Sequence, residues 1–130
     1  MIVIDASAIL ESLLGTPAAE AVEERLFQPA QTVHAPHLLD LEIAQVLRRY
    51  ASARLIEPEH CVAALQAYSD LPILRHMHAP LLLRIWELRN NFTAYDAAYV
   101  ALAEALGATL VTRDRRLASA AGHHARIELM

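Results

Sequence analysis

Short, β-branched apolar runs alternate with helix-patterned segments along this chain, and that alternation restricts the fold more than any other feature. Ile2-Val3-Ile4 reads as a buried strand, and further strands are expected at residues 32–35, 73–76 and 109–112, with an edge strand at 126–129. Pro36 is expected to end the second of these. Helices are expected at residues 8–14, closed by Gly15; at 17–27, with Pro17 in the first turn; and at 37–54, 58–68, 80–90, 94–106 and 115–121, the sixth stopping at Gly107. Strands that each hand over to a helix build a parallel sheet covered on both faces. The fold class is therefore α/β, with a short, mostly parallel sheet of four to five strands flanked by helices. No repeat, low-complexity tract or linker divides the 130 residues, so one domain is expected over 1–130.

The apolar fraction, 55%, exceeds the usual ~45–50%, which favours apolar surface held against a partner such as a second copy or an inhibitor protein. No apolar run approaches the roughly 18 residues a membrane span needs. No basic leader precedes Ile2, and Cys61 has no second cysteine to pair with. Both features lead to the expectation of a cytoplasmic protein. Cys61 falls on a helix and is expected to be an inert, buried or half-buried side chain.

All 11 basic residues are arginine. Without lysine the chain has neither a P-loop nor a Schiff-base amine. The net charge of −4 weighs against a broad nucleic-acid footprint, so the placement of charges matters more than their sum.

Of the five aspartates, three fall where chemistry is done. Asp5 follows the first strand, Asp114 lies just beyond the strand ending at Thr112, and Asp96 sits in the first turn of a helix. Ligands of open parallel sheets bind outside the carboxyl ends of the strands, where Asp5 and Asp114 would project together. In the helix over 37–54, Leu39, Ile43, Val46 and Tyr50 are expected to form the inward stripe. Glu42 lies at its margin, and Asp40 points away from Glu42. A carboxylate at the edge of a core needs a partner, and clustered carboxylates raise each other's pKa; a hard divalent cation relieves both conflicts. Such an ion lowers the pKa of a bound water and neutralises charge developing on a phosphodiester, although the acids alone do not specify that substrate.

Four segments together resemble the PIN domains, and within them the VapC-type toxins of bacterial toxin–antitoxin pairs. They are Val3-Ile4-Asp5-Ala6-Ser7, Leu41-Glu42-Ile43-Ala44 with Leu47-Arg48-Arg49, Thr93-Ala94-Tyr95-Asp96 continuing to Ala103, and Leu110-Val111-Thr112-Arg113-Asp114-Arg115-Arg116-Leu117. The third is the most specific, and order and spacing agree along nearly the whole chain. The resemblance implies a PIN-like three-layer sandwich and an endoribonuclease dependent on Mg²⁺, with Mn²⁺ able to substitute. It also implies a cognate VapB-type antitoxin, a homodimer, and RNA substrates of the tRNA or rRNA class. Carried over residue by residue, the metal ligands and catalytic acids are Asp5, Glu42, Asp96 and Asp114, with Asp5 and Asp96 the direct ligands and Ser7 and Thr112 in support. Relatives carry a further acid soon after Asp114; Arg115 and Arg116 stand there instead, which implies a four-acid site.

Each residue also has a plainer reading. Thr93-x-x-Asp96 is a capping-box pattern, Asp5 and Ser7 suit a helix N-terminus, Glu42 has Arg48 and Arg49 nearby as ion-pair partners, and Asp114 suits a turn. Arg113, Arg115 and Arg116 flank Asp114 and are either an RNA-backbone grip or a solvated helix start. The seven histidines lack the helical i,i+4 pair of a zinc hydrolase, and most of them read as surface or capping residues. Trp86, Tyr95 and Tyr99 read as core or interface packing. The competing functions are a catalytically silent PIN-like module that binds RNA or protein, a metal-dependent DNase, and a haloacid-dehalogenase or receiver-type phosphotransfer enzyme. The last is opposed by the missing lysine and by Ser7, which stands where a DxD motif has its second aspartate.

Overall fold

The computed structural model describes residues 1–130. Its sheet has five strands, all parallel, in the order β3-β2-β1-β4-β5: β1 (Ile2–Ile4), β2 (Val33–Pro36), β3 (Ile73–His76), β4 (Thr109–Thr112) and β5 (Arg126–Leu129). The helices are α1 (Ala6–Leu13), α2 (Ala19–Leu26), α3 (Leu38–Ser52), α4 (Pro58–Asp70), α5 (Leu82–Glu87, with a 3₁₀ turn at each end), α6 (Ala94–Leu106) and α7 (Arg115–Ser119). No helix is long and apolar enough to cross a membrane.

The connections β1–β2 and β2–β3 step one way across the sheet, carrying α1 to α4. The connection β3–β4 returns across β1 and carries α5 and α6. Right-handed crossovers then place the two sets of helices on opposite faces, making three layers. Strands buried on both faces are largely apolar, and all three residues of β1 and all four of β2 are buried, the one polar member, His34, being hydrogen-bonded to His76 and Thr32. The edge strands β3 and β5 expose Leu74, Arg126 and Leu129, as befits strands with a neighbour on one side only. Gly107 closes α6 with φ of 61°, a left-handed conformation that a residue with a Cβ enters only at a cost.

Three local expectations change. Pro17 precedes α2 rather than opening it, because Thr16 makes the turn: its hydroxyl accepts from the Ala18 amide and its carbonyl from that of Ala19. Pro36 belongs to β2, in register with His76; its missing N–H is no obstacle at the last position of a strand. The buried seam of α3 is Leu39, Ile43 and Leu47, an i, i+4, i+8 line, and Val46 and Tyr50 flank it half-buried. Asp40 points away from Glu42, as expected, and joins Arg75 and Tyr68. Cys61 is buried.

Candidate active site

The strand order reverses direction at β1, with β2 on one side and β4 on the other, which opens a crevice at the carboxyl ends of β1 and β4. Each of the four predicted acids comes from the beginning of a helix launched at that edge. Asp5 is the N-cap of α1, Glu42 lies in the second turn of α3, Asp96 in the first turn of α6, and Asp114 is the N-cap of α7. Helix N-termini carry a partial positive charge that fades after the first turn, so it favours a carboxylate at positions 5, 96 and 114 but not at position 42.

The register explains the support for Asp5. Ile4 pairs with Val111, so Asp5 stands level with Thr112 one residue on. The Thr112 hydroxyl donates to Asp5 Oδ2 (2.6 Å), and Oδ1 accepts from the Ser7 hydroxyl (2.7 Å) and the Ala8 amide (3.1 Å). Ser7 Oγ in turn accepts from the Arg113 amide (2.8 Å), and Thr112 Oγ1 from the Asp114 amide (2.9 Å). Both predicted supporting residues therefore tie the end of β1 to the turn after β4. Asp5 is only 6% exposed. Burial pushes its carboxyl above the usual range, the Asp114 charge adds to this, and the three hydrogen bonds pull it back.

Glu42 accepts a 2.5 Å hydrogen bond from the Tyr99 hydroxyl and forms no ion pair with Arg48 or Arg49. Burial raises its pKa, the charges of Asp5 and Asp96 raise it further, and the Tyr99 bond opposes them. Asp96 is raised as well, first by burial and then by Asp114, against the pull of Arg116. The charge of Asp114 thus acts on Asp5 and Asp96, and the charges of Asp5 and Asp96 act on Glu42. The Thr93 hydroxyl caps α6 by accepting from the Asp96 amide (3.2 Å), but no bond from the Thr93 amide returns to the Asp96 carboxylate, so the capping box is half formed. Asp114 Oδ1 caps α7, taking the amides of Arg116 (2.8 Å) and Leu117 (3.3 Å). The capping roles foreseen for Asp5 and Asp114 are real, and each still has lone pairs to offer.

No three His, Cys, Asp or Glu side chains stand together as a ready-made set of metal ligands. What the site presents is an open, all-oxygen donor set with excess negative charge. That suits a hard divalent cation that keeps most of its waters and takes one or two carboxylates directly.

The three arginines beside Asp114 part company. Arg113 turns away, pairing with Glu11 (3.0 Å) and donating to the Met130 carbonyl (3.0 Å). Arg115 is exposed, and Arg116 is 93% exposed, with only a 3.7 Å approach to Asp114. Sequence reasoning treated Tyr99 as packing and missed it as the donor to Glu42. Its signal was its place one turn beyond Asp96 on the same helix face. His78 accepts from the Leu38 amide and so caps α3, in keeping with the capping expectation.

The sequence matches the PIN domain family over residues 2–123. It is 43% identical over 130 residues to ribonuclease VapC12 of Mycobacterium tuberculosis, an alignment covering 100% of this chain and 99% of that protein. It is 47% identical over 117 residues to ribonuclease VapC9 of the same species, covering 90% and 88%. Among solved structures, VapBC2 from Rickettsia felis bound to a promoter DNA fragment superposes with a TM-score of 0.74 at 15% identity, over 99% of this chain and 98% of that one, a likeness of fold. With a family match along most of its length and relatives this similar across nearly all of it, the chain belongs to the PIN-domain family, in its VapC group.

Proposed function

We propose that this chain is the toxin of a type II toxin–antitoxin pair, an endoribonuclease that hydrolyses RNA phosphodiester bonds with the aid of Mg²⁺ or Mn²⁺. What supports the reading is the placement of Asp5, Glu42, Asp96 and Asp114 on helices that start at the carboxyl edge of the sheet, with Asp5, Glu42 and Asp96 pushed upward in pKa first by burial and then by neighbouring carboxylates of the set. Asp5 and Asp96 would hold the ion directly, with Glu42 and Asp114 beside them. When bound, it lowers the pKa of a water and neutralises charge on the reacting phosphate.

The chain's own residues do the rest. Ser7, Thr112 and the Ala8 amide hold Asp5 in one rotamer, with all three donors favouring its ionised form. Glu42, steadied by Tyr99, orients the attacking water and accepts its proton; Asp114 helps to position that water. Arg115 and Arg116 grip the RNA backbone, whereas Arg113 serves the fold. Substrates are of the tRNA or rRNA class. A VapB-type antitoxin and a second copy of the chain are the partners, and exposed Leu41, Leu82, Leu83, Trp86 and Tyr95 supply apolar surface for such interfaces. The chain acts in the cytoplasm.

The test is incubation of purified total RNA with antitoxin-free protein in Mg²⁺, Mn²⁺ or EDTA. Discrete fragments with either ion and intact RNA in EDTA are expected; intact RNA in all three would favour a silent binding module. A smaller effect is expected from Arg115→Ala combined with Arg116→Ala. Losing two phosphate contacts should lower the slope of log affinity against log salt by about 1.4 on single-stranded RNA. An unchanged slope in a binding titration would remove both arginines from the interface.

A further inference from the structure

Two clefts meet at Ala6, beside the acid cluster. One, of about 360 Å³, lies between α1 and the second half of α3 and has Ser7, Glu11, Thr16, Arg49 and Tyr50 among its walls. The other, of about 440 Å³, runs along α3 past Glu42 to Tyr95, next to Asp96. Arg49 borders both.

Glu42 and Arg49 are seven residues apart on α3, which brings them back to the same face with about 10 Å of rise between them. The other charge in the first cleft is already matched. Glu11 pairs with Arg113 (3.0 Å) and accepts from the Thr16 hydroxyl. Arg49 has no such match: the ion pairs of the chain engage Arg25, Arg75, Arg84, Arg113 and Arg116, and no acceptor takes its guanidinium. It is exposed, and Glu42, its nearest acid along that face, is committed to Tyr99. A free guanidinium therefore stands on one flank of a strongly negative site, and Arg115 and Arg116 stand on the α7 flank.

We propose that Arg49 is a second RNA-positioning residue, gripping a backbone phosphate next to the scissile one. The RNA strand would then run from α7, across the four carboxylates, into the cleft between α1 and α3. A polyanion crossing an acidic site needs cations on both sides to hold its register, and a guanidinium offers a phosphate two parallel hydrogen bonds. The inference rests on the ribonuclease reading. A purely structural explanation is also available, since a cation in the last turn of α3 complements the helix dipole. That role would change stability and leave the salt dependence of RNA binding untouched.

The experiment titrates bulk tRNA against the full chain carrying Asp96→Asn, with Mg²⁺ present, across a range of salt concentrations. Adding Arg49→Gln should raise Kd on the order of five-fold and reduce the slope of log affinity against log salt by about 0.7. Arg49→Lys should restore the slope, and Arg126→Gln, at the far end of the sheet, should change neither quantity. In the cleaving enzyme, Arg49→Gln should raise KM more than it lowers kcat. If Arg49→Gln leaves Kd and slope unchanged while the paired Arg115→Ala and Arg116→Ala variant raises Kd and lowers the slope, the Arg49 role is overturned and the nuclease reading stands. If the wild type neither binds nor cleaves any RNA, the nuclease reading falls, and this inference with it.

Discussion

Replacing Glu42 with Gln should lower RNA cleavage by about 10²–10⁴-fold, the range a positioned proton acceptor contributes, and should make the protein more stable. The substitution changes the charge and little else. A Gln carbonyl oxygen can still accept from the Tyr99 hydroxyl, and position 42 lies beyond the first turn of α3, so no cap or dipole interaction is lost. What disappears is a carboxylate whose ionisation burial opposes first, and the charges of Asp5 and Asp96 oppose next.

The sign follows from linkage. An acid whose folded pKa lies above its unfolded value of roughly 4.3 weakens the fold wherever it is ionised, and that penalty fades as pH falls through the folded value toward the unfolded one. Metal-free Glu42→Gln should therefore melt above the wild type at pH 7. The gap should close by about pH 3, well below the unfolded value, where the wild-type carboxyl is protonated in both states. Thermal melts at the two pH values, paired with single-turnover cleavage, read both effects. A variant that cuts RNA as fast as the wild type would remove Glu42 from the mechanism. One that loses activity and stability together would show that Glu42 is chiefly a structural residue.

Sequence periodicity reached the fold because the fold is set by burial. In β1, three consecutive apolar residues have one physical solution, a strand covered on both faces, and β4 repeats it with Leu110 and Val111. Where several local solutions have similar energy, the reading slipped. Pro36 can end a strand or occupy its last position, and only the pairing with His76 on β3 decides between them. On α3, Val46 and Leu47 are adjacent and both apolar. A rotation of one residue exchanges them, and the inward choice is set by what packs opposite, which no single helix encodes.

The carboxylates were legible for a different reason. Asp5 and Asp114 sit at strand ends, and a parallel sheet brings all of its carboxyl ends to one edge whatever the strand order. Strand-end placement did not reach their partners: the resemblance alone offered Ser7 and Thr112, and Tyr99 was missed. The Thr112 hydroxyl reaches Asp5 only through the β1–β4 register, across 107 positions of sequence. Tyr99 reaches Glu42 only because the tertiary fold brings α6 within hydrogen-bond reach of α3 across 57 positions of sequence. The arginines show the same limit: Arg113, Arg115 and Arg116 look alike in sequence, yet Glu11 and the Met130 carbonyl engage the first while the other two stay exposed.

Mg²⁺ or Mn²⁺ should stabilise this protein strongly, and Asp5→Asn should abolish that response without unfolding it. The four acids repel one another in the metal-free chain, so a divalent ion binds the folded state with a gain that the unfolded chain, its carboxylates scattered, cannot match. At one hundred times Kd the linkage is worth about 2.7 kcal/mol, which for a domain of this size raises Tm by on the order of 10 °C. Asn at position 5 can keep the local structure. Its carbonyl oxygen still accepts from the Ser7 hydroxyl and the Ala8 amide, which preserves the cap on α1. The amide nitrogen then faces Thr112 Oγ1, whose own proton can turn to Ser7 Oγ at 3.3 Å. The fold survives, and the ion loses its most buried ligand. Melting curves of EDTA-treated protein, titrated with each ion, should show the rise in the wild type and a flat response in the variant, with cleavage following the same pattern. A wild type that melts at one temperature with and without both ions would mean that these four carboxylates hold no divalent cation. Their mutual repulsion would then need another purpose.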